Sequence, residues 1–147
     1  ASGASGVLLI AAMLDKNRMQ EMLACAAELG LFVLMEVFDE RDLEHCLPVL
    51  DSAGPALKAG RCHWLLGVNC RDLRTLQVDA ARFASIVPAL PAGLPWVAES
   101  GVREAAQAAA VAALGYRMSL VGTALMQSGS PEATVADLLA AGRGAGR

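Results

Sequence analysis

Two stretches late in the chain hold the residues best suited to chemistry. In Trp96-Val97-Ala98-Glu99-Ser100-Gly101-Val102, and again in Met118-Ser119-Leu120-Val121-Gly122-Thr123, a short apolar run stops at small residues and a helix-forming stretch follows. A strand that empties into Ser-Gly or Gly-Thr leaves backbone N–H groups uncovered by bulky side chains. Those donors, with the positive end of the next helix, suit a phosphate dianion. Ser100, Gly101, Gly122 and Thr123 are therefore candidate anion-binding positions. Upstream, Glu36 is a single carboxylate interrupting an apolar run, and Asn69-Cys70-Arg71-Asp72 closes another such run with polar groups.

Composition restricts the partners these groups can serve. With 147 residues, 55% of them hydrophobic, the chain can bury a sizeable core in one domain and is too short for two. A net charge of −3 and a pI near 5.3 argue against broad binding of nucleic acid or anionic membrane, which needs a basic face. No apolar run approaches the roughly 18 residues of a membrane span, and no basic-then-apolar leader opens the chain. A soluble, cytoplasmic protein is expected. The chain begins Ala-Ser-Gly-Ala-Ser-Gly, without methionine, as would a piece of a longer protein or a chain with an artificially added start.

Cys25, Cys46, Cys62 and Cys70 show no C-x-x-C spacing. His45-Cys46 and Cys62-His63 could be imagined as a zinc site, but adjacent ligands at both corners do not fit the usual spacings. Reduced, structural cysteines are the expectation, with no metal.

The elements that would position these groups alternate regularly. Val7–Ala11 is an unalternating apolar run, as in a strand covered on both faces. Asp15 can cap a helix over Lys16–Glu28, where Met19, Met22, Leu23, Ala26 and Ala27 recur at helical spacing and Gly30 stops the run. Leu31–Val37 is a second strand, and Asp39 caps a helix to about Leu50 with Leu43, Leu47 and Leu50 on one face. Asp51–Cys62 carries turn chemistry and is expected as an exposed excursion.

His63–Val68 is a third strand, Val78–Val87 a helix stopped by Pro88, and Trp96–Ala98 a fourth strand followed by a helix over Glu104–Leu114. Met118–Val121 is the fifth strand. Ser130 and Pro131 then open a last helix to about Ala141, with Gly142–Arg147 frayed. Five strands each followed by a helix make a parallel α/β sheet with right-handed crossovers. Two closures remain open: a doubly wound sandwich, or five-eighths of a (β/α)₈ barrel lacking its first three βα units. Two anion-suited loops in succession match the barrel's phosphate cradle after its last two strands.

Four segments carry a resemblance that favours the barrel. Val33-Leu34-Met35-Glu36-Val37, Leu66-Gly67-Val68-Asn69-Cys70-Arg71-Asp72-Leu73, Val97-Ala98-Glu99-Ser100-Gly101-Val102 and Leu120-Val121-Gly122-Thr123-Ala124-Leu125-Met126 closely resemble the indole-3-glycerol-phosphate synthase family. The likeness covers nearly all of the chain and corresponds to strand four through helix eight of the family's TIM barrel. It implies a lyase of tryptophan biosynthesis, one that cyclises 1-(2-carboxyphenylamino)-1-deoxyribulose 5-phosphate with loss of carbon dioxide and water and requires no cofactor. By resemblance, Glu36 is the general base, Asn69 and Arg71 orient substrate, Glu99 is a second active-site carboxylate, and Ser100, Gly101, Gly122 and Thr123 bind phosphate. The residue types suit these roles. Glu36 is the only charge in its strand, Glu99 would end a neighbouring strand on the same face, and paired carboxylates can divide acid from base work. Arg71 offers a planar fork for a carboxylate or hydroxyl.

Each role has a plainer rival. Glu36 could be a buried carboxylate paired with a lysine or arginine, Asn69 and Arg71 could satisfy loop backbone and pair with Asp72, and Ser100 and Thr123 could be helix caps. The chain also departs from the family pattern. Phe38 stands where histidine is frequent, Thr123 replaces a more usual serine or glutamate, and the Asp51–Cys62 turn is long. The family's two catalytic lysines lie on strands one and three, outside the matched part, and neither Lys16 nor Lys58 falls at a strand end. The chain alone is thus expected to be inactive. Two other readings compete: a non-catalytic phosphate-binding half-barrel that docks onto the missing units or pairs as a homodimer through open sheet edges, and another sugar-phosphate barrel enzyme such as phosphoribosylanthranilate isomerase.

Overall fold

The computed structural model describes residues 3–52 and 63–146. Five strands, β1 (Gly6–Ile10), β2 (Phe32–Val37), β3 (Trp64–Asn69), β4 (Trp96–Glu99) and β5 (Met118–Leu120), form one open parallel sheet in the order β1-β2-β3-β4-β5. That order decides between the two closures. A doubly wound sandwich needs a reversal of strand order so that helices cover both faces. Right-handed crossovers between strands taken strictly in sequence put every helix on the same face, which is barrel winding. The chain therefore has the architecture of a partial (β/α)₈ barrel, with β1 and β5 as the sheet's two edges.

The chain gathers into two compact units. One comprises Ala1–Gly67 with Ala89–Leu94, the other Val68–Pro88 with Pro95–Arg147. In the first, α1 (Lys16–Glu28) and α2 (Glu40–Ser52) follow β1 and β2. Asp15 caps α1 as expected, its carboxylate accepting the Arg18 N–H at 2.8 Å. The helix ends with Leu31 N–H on the Ala26 carbonyl and Gly30 N–H on that of Ala27, the paired bonds of a Schellman stop. At α2, Asp39 accepts from Asp42 N–H at 3.1 Å while the Asp42 carboxylate accepts from Phe38 N–H at 2.9 Å. This reciprocal cap fixes the chain two residues beyond Glu36.

In-register pairing of Leu8 with Leu34, Leu9 with Met35 and Ile10 with Glu36 sorts the side chains by face. Leu9, Val33, Met35 and Val37 share one face and are fully buried, as are Met19 and Leu23 of α1 and Leu43, Cys46 and Val49 of α2. Leu8, Ile10, Leu34 and Glu36 share the other face, where Leu8 stays 42% exposed.

In the second unit, α3 (Arg82–Ser85), α4 (Ala105–Ala113), α5 (Thr123–Gln127) and α6 (Pro131–Ala145) are the helices. An aromatic cluster fills its middle. Tyr116 meets Phe83 and Trp96 edge-on at centroid separations of 5.4 and 5.9 Å, and its buried hydroxyl donates to the Phe83 carbonyl at 3.1 Å.

Several boundaries differ from those read in the sequence. The helix expected over Val78–Val87 shrinks to α3, because Val78 bridges back to Arg71 and Pro88 falls inside a following 3₁₀ turn, Val87–Ala89. The short α5 was not anticipated. The last helix runs on to Ala145 rather than fraying at Gly142, and the Ser130 side chain does not cap it. Instead the Ser128 hydroxyl meets that of Thr134 at 2.6 Å and accepts from Ser130 N–H. Asp51 and Ser52 belong to α2, and the rest of the expected excursion, with Lys58 and Cys62, lies outside the described residues.

The buried thiols behave as structural groups. His45 is anchored on the Leu14 carbonyl at 2.8 Å, and burial pushes the neighbouring Cys46 thiol from 9.0 up to about 12. Burial also raises Cys70 and Tyr116. In the unfolded chain a thiol ionises near about 8.5. Above that value the unfolded state has released protons that the folded state still holds, so stability falls as pH rises toward the folded values. The denaturant midpoint should therefore decline steadily between about pH 8.5 and pH 11, and less steeply in Cys46→Ala. At pH 8, exposed Cys25 should react quickly with a thiol reagent, whereas Cys46 and Cys70 should react only on unfolding.

Candidate active site

Every site residue read from the sequence lies at, or within three residues of, the C-terminal end of a strand. Glu36 is the fifth of six residues in β2, Asn69 ends β3, Glu99 ends β4, and Gly122 follows β5 by two residues. In a barrel this is the end of the sheet where loops gather and chemistry occurs.

Glu36 belongs to the first unit. Its side chain is only 6% exposed, on a strand buried from Val33 to Val37, and it shares a face with Leu34 and Ile10.

The remaining site residues belong to the second unit, where one backbone bond joins the ends of two strands. Cys70 N–H donates to the Glu99 carbonyl at 3.1 Å. The Glu99 side chain is buried to 2% exposure, and the chain then turns sharply: Ser100 and Gly101 take φ values of 65° and 67°. A non-glycine residue in this left-handed region is uncommon and concentrates at ligand-binding turns. The Val102 N–H closes the turn on the Ser100 carbonyl at 2.8 Å, and the Arg103 and Glu104 N–H groups donate to Gln107 Oε1 at the start of α4. With those donors engaged, the amides of Ser100 and Gly101 become the loop's candidates for an anion. Gly101 is required twice over. Besides its φ, a Cβ there would stand 2.7 Å from the Cys70 sulfur and 3.4 Å from Val78.

The second anion loop is more open. Gly122 precedes α5, its carbonyl accepting the Met126 N–H at 3.0 Å, and no heavy atom lies within 4 Å of where its Cβ would be. The first amides of α5, from Thr123 onward, point out of the helix end as any first turn's must. Both Gly122 and Thr123 are exposed. Thr123 is the first residue of α5, whose N-cap is Gly122, and the N-cap of α4 is Glu104, so neither Thr123 nor Ser100 is a helix N-cap.

Asn69 and Arg71 are tied into a compact loop. Asn69 Oδ1 accepts the Arg71 N–H at 2.9 Å, as its plainer reading anticipated. Arg71 does not pair with Asp72. Its Nη1 donates to the Leu76 carbonyl at 2.9 Å, and Asp72 faces the exposed Arg74 at 3.7 Å. The sequence reading missed Asp72 as an organising group. Its carboxylate accepts the N–H groups of Arg74 and Thr75, which hold its carboxyl below the usual carboxylate range. The signal was present as Asp72-Leu73-Arg74-Thr75, an aspartate positioned to bond backbone two and three residues on.

The second unit thus carries two turns after strands, the buried Glu99 and the anchored Arg71, and the first unit carries the buried Glu36. A family model, Indole-3-glycerol phosphate synthase, matches residues 1–138. The chain belongs to the indole-3-glycerol phosphate synthase family. Among curated members, the proteins of Mycobacterium leprae and Mycobacterium tuberculosis are each 43% identical over 142 residues, and that of Mycolicibacterium smegmatis is 42% identical. Each alignment takes in 97% of this chain and 48% of the relative, so the chain spans about half the length of the synthases it matches. A solved structure, the Amycolatopsis orientalis BexX/CysO complex, superposes with a TM-score of 0.55 over 95% of this chain and 66% of that one. At 18% identity this likeness concerns the fold alone. The synthase family is built on the TIM barrel, in agreement with the consecutive parallel strands described above.

A Gly101→Ala change should cost at least about 1–2 kcal/mol from the left-handed backbone alone, with a further penalty where the new methyl meets Cys70. Adding Cys70→Ala should recover the contact part and leave the backbone part. Denaturant unfolding of the two single variants and the double variant measures both. Equal losses in Gly101→Ala with and without Cys70→Ala would show that the sulfur contact carries nothing.

Proposed function

We propose that this chain provides strand four through helix eight of a barrel that closes the indole ring, converting 1-(2-carboxyphenylamino)-1-deoxyribulose 5-phosphate to indole-3-glycerol phosphate with loss of carbon dioxide and water. In this reading residues 1–147 form one domain, the later part of a (β/α)₈ barrel. Glu36 is the general base. Glu99 is the second carboxylate of the reaction, and Asn69 orients the reacting groups. Arg71 holds a carboxylate or hydroxyl of the substrate, while Ser100, Gly101, Gly122 and Thr123 bind its phosphate. No cofactor takes part. The setting is the cytoplasm, in tryptophan biosynthesis; among the described residues no helix is long and apolar enough to cross a membrane.

The observation that carries the reading is where the family's motifs fall. Gly-Val-Asn-Cys-Arg-Asp ends on β3 and its loop, and Ala-Glu-Ser-Gly ends on β4 and a left-handed turn. Buried carboxylates at strand ends suit proton transfer, and amide-lined turns suit a phosphate. Glu36 together with Gly-Val-Asn-Cys-Arg-Asp favours this activity over phosphoribosylanthranilate isomerase or another sugar-phosphate barrel, which the phosphate loops alone would allow.

A second reading rests on a different observation. All three residues of the edge strand β5 are exposed, Leu120 to 53%, and nothing charged interrupts them. Such an edge invites another strand. Docking onto the first barrel units supplies one, and a homodimer joined through sheet edges, with phosphate binding but no catalysis, is the alternative.

Because the family's catalytic lysines lie on strands outside the matched part, the 147-residue chain by itself should show no measurable ring closure. Joined behind the first half of the Mycobacterium leprae relative, it should form an active barrel. In that joined barrel, Glu36→Gln and Glu99→Gln should each lower kcat by about 10²–10⁴-fold. Turnover by the isolated chain near the level of the joined barrel, or carboxamide variants within about threefold of the parent, would sink the proposal.

A further inference from the structure

The loop that bears Arg71 is held in shape by the residue that follows it. Asp72 makes four hydrogen bonds that close the 72–77 turn. Its Oδ1 accepts from Arg74 N–H at 2.7 Å and from Thr75 N–H at 3.2 Å. Its own N–H donates to the Gln77 carbonyl at 2.9 Å, and its carbonyl accepts from Leu76 N–H at 2.7 Å. The turn so formed holds Leu76 at a φ of 61°, an unfavourable conformation for a branched side chain. It is in that conformation that the Leu76 carbonyl receives Arg71 Nη1 at 2.9 Å. Arg71 is gripped on its backbone as well, through Asn69 Oδ1 and through the bridge to Val78.

An arginine on a surface loop samples many rotamers, and fixing it costs up to about 2 kcal/mol of side-chain entropy. Here one of its five N–H donors is spent on the Leu76 carbonyl, which sets the plane of the fork and leaves its remaining edges to meet an oxygen acceptor. The ion pair between Asp72 and Arg74 does little in this arrangement. It is long at 3.7 Å, and its arginine is 90% exposed. The Asp72 carboxylate therefore works chiefly through the two backbone amides.

We propose that Asp72 is a positioning residue for substrate binding: by ordering the 72–77 turn it presents the Leu76 carbonyl to Arg71 and so fixes the guanidinium in the orientation that engages an acidic or hydroxyl group of the substrate. The inference rests on the reading of Arg71 as a substrate-binding residue. It extends that reading to a residue whose only influence on the reaction passes through its neighbour. Asparagine at this position keeps the Oδ1 acceptor for both amides, whereas alanine keeps neither.

The test is a kinetic cycle in the joined barrel. Asp72→Ala should raise KM about tenfold, the size of one lost hydrogen bond to a charged group, and change kcat by less than about threefold. Asp72→Asn should return KM to within about threefold of the parent. In an Arg71→Ala background, Asp72→Ala should add no further loss, because the residue through which it acts is gone. Hydrogen exchange at the Arg74, Thr75 and Leu76 amides should be slow in the parent and in Asp72→Asn, and fast in Asp72→Ala. An unchanged KM in Asp72→Ala, a loss that adds in full to that of Arg71→Ala, or no rescue by asparagine would each overturn the inference while the parent enzyme remains active. A joined barrel without ring closure would instead overturn the functional reading, and this inference with it.

Discussion

The second unit depends on one backbone hydrogen bond, from the Cys70 N–H to the Glu99 carbonyl. It fastens the end of β3 to the end of β4 at the point where both strands stop being strands. On one side of it the chain turns through Ser100 and Gly101 in left-handed conformations, possible because Gly101 carries no side chain to strike the Cys70 sulfur. On the other side the chain enters the 71–79 loop, which returns through the Arg71–Val78 bridge and the Asp79 N–H on the Cys70 carbonyl. Val78 and Phe83 then lie against Gly101 from below. The anion-suited turn and the arginine loop are thus two consequences of the same junction, and neither could shift without disturbing the other.

Packing beneath the junction explains why the turn can be strained. Phe83, Tyr116 and Trp96 form an edge-to-face cluster, and the Tyr116 hydroxyl is bonded to the Phe83 carbonyl. Rigid aromatic packing of this kind can offset the roughly 1–3 kcal/mol that an unfavourable backbone conformation costs. The carboxylate of Glu99 is carried at the end of a short strand whose other residues, Val97 and Ala98, are buried. Its position is set by the sheet and not by a loop.

Barrel winding also accounts for the apolar side chains that remain exposed. In the first unit Leu8 shares a face with Leu34 and Glu36, and in the second Met118 and Leu120 share a face with Val97 and Glu99 by register. These faces correspond to a barrel interior. Each such residue forgoes about 1.5–3 kcal/mol of burial when its side of the sheet is uncovered. In each unit taken by itself, the face that carries the acidic residue also leaves apolar side chains exposed.

Much of this was legible in the residues. Unalternating apolar runs gave five parallel strands, Asp15, Asp39 and Gly30 marked helix ends, and Ser-Gly and Gly-Thr marked where β4 and β5 give way to turns, because these signals depend on local sterics and hydrogen bonding that a few residues carry with them. Strand order was not legible in the pattern of elements, since a run of βα units is locally the same in a sandwich and in a barrel; the family resemblance favoured the barrel, and pairing between distant residues showed it. Nor was the 71–79 loop, whose apparent helical pattern from Val78 gave way to a bridge back to Arg71. The sequence by itself determined the family and the strand ends at which its motif residues fall, because those motifs are short and local. The tertiary structure alone decided that Gly101 must rest on Cys70 and that Arg71 must bond Leu76 and not Asp72, because those contacts are chosen by how strands and loops stack, a matter on which no short stretch of sequence has a preference.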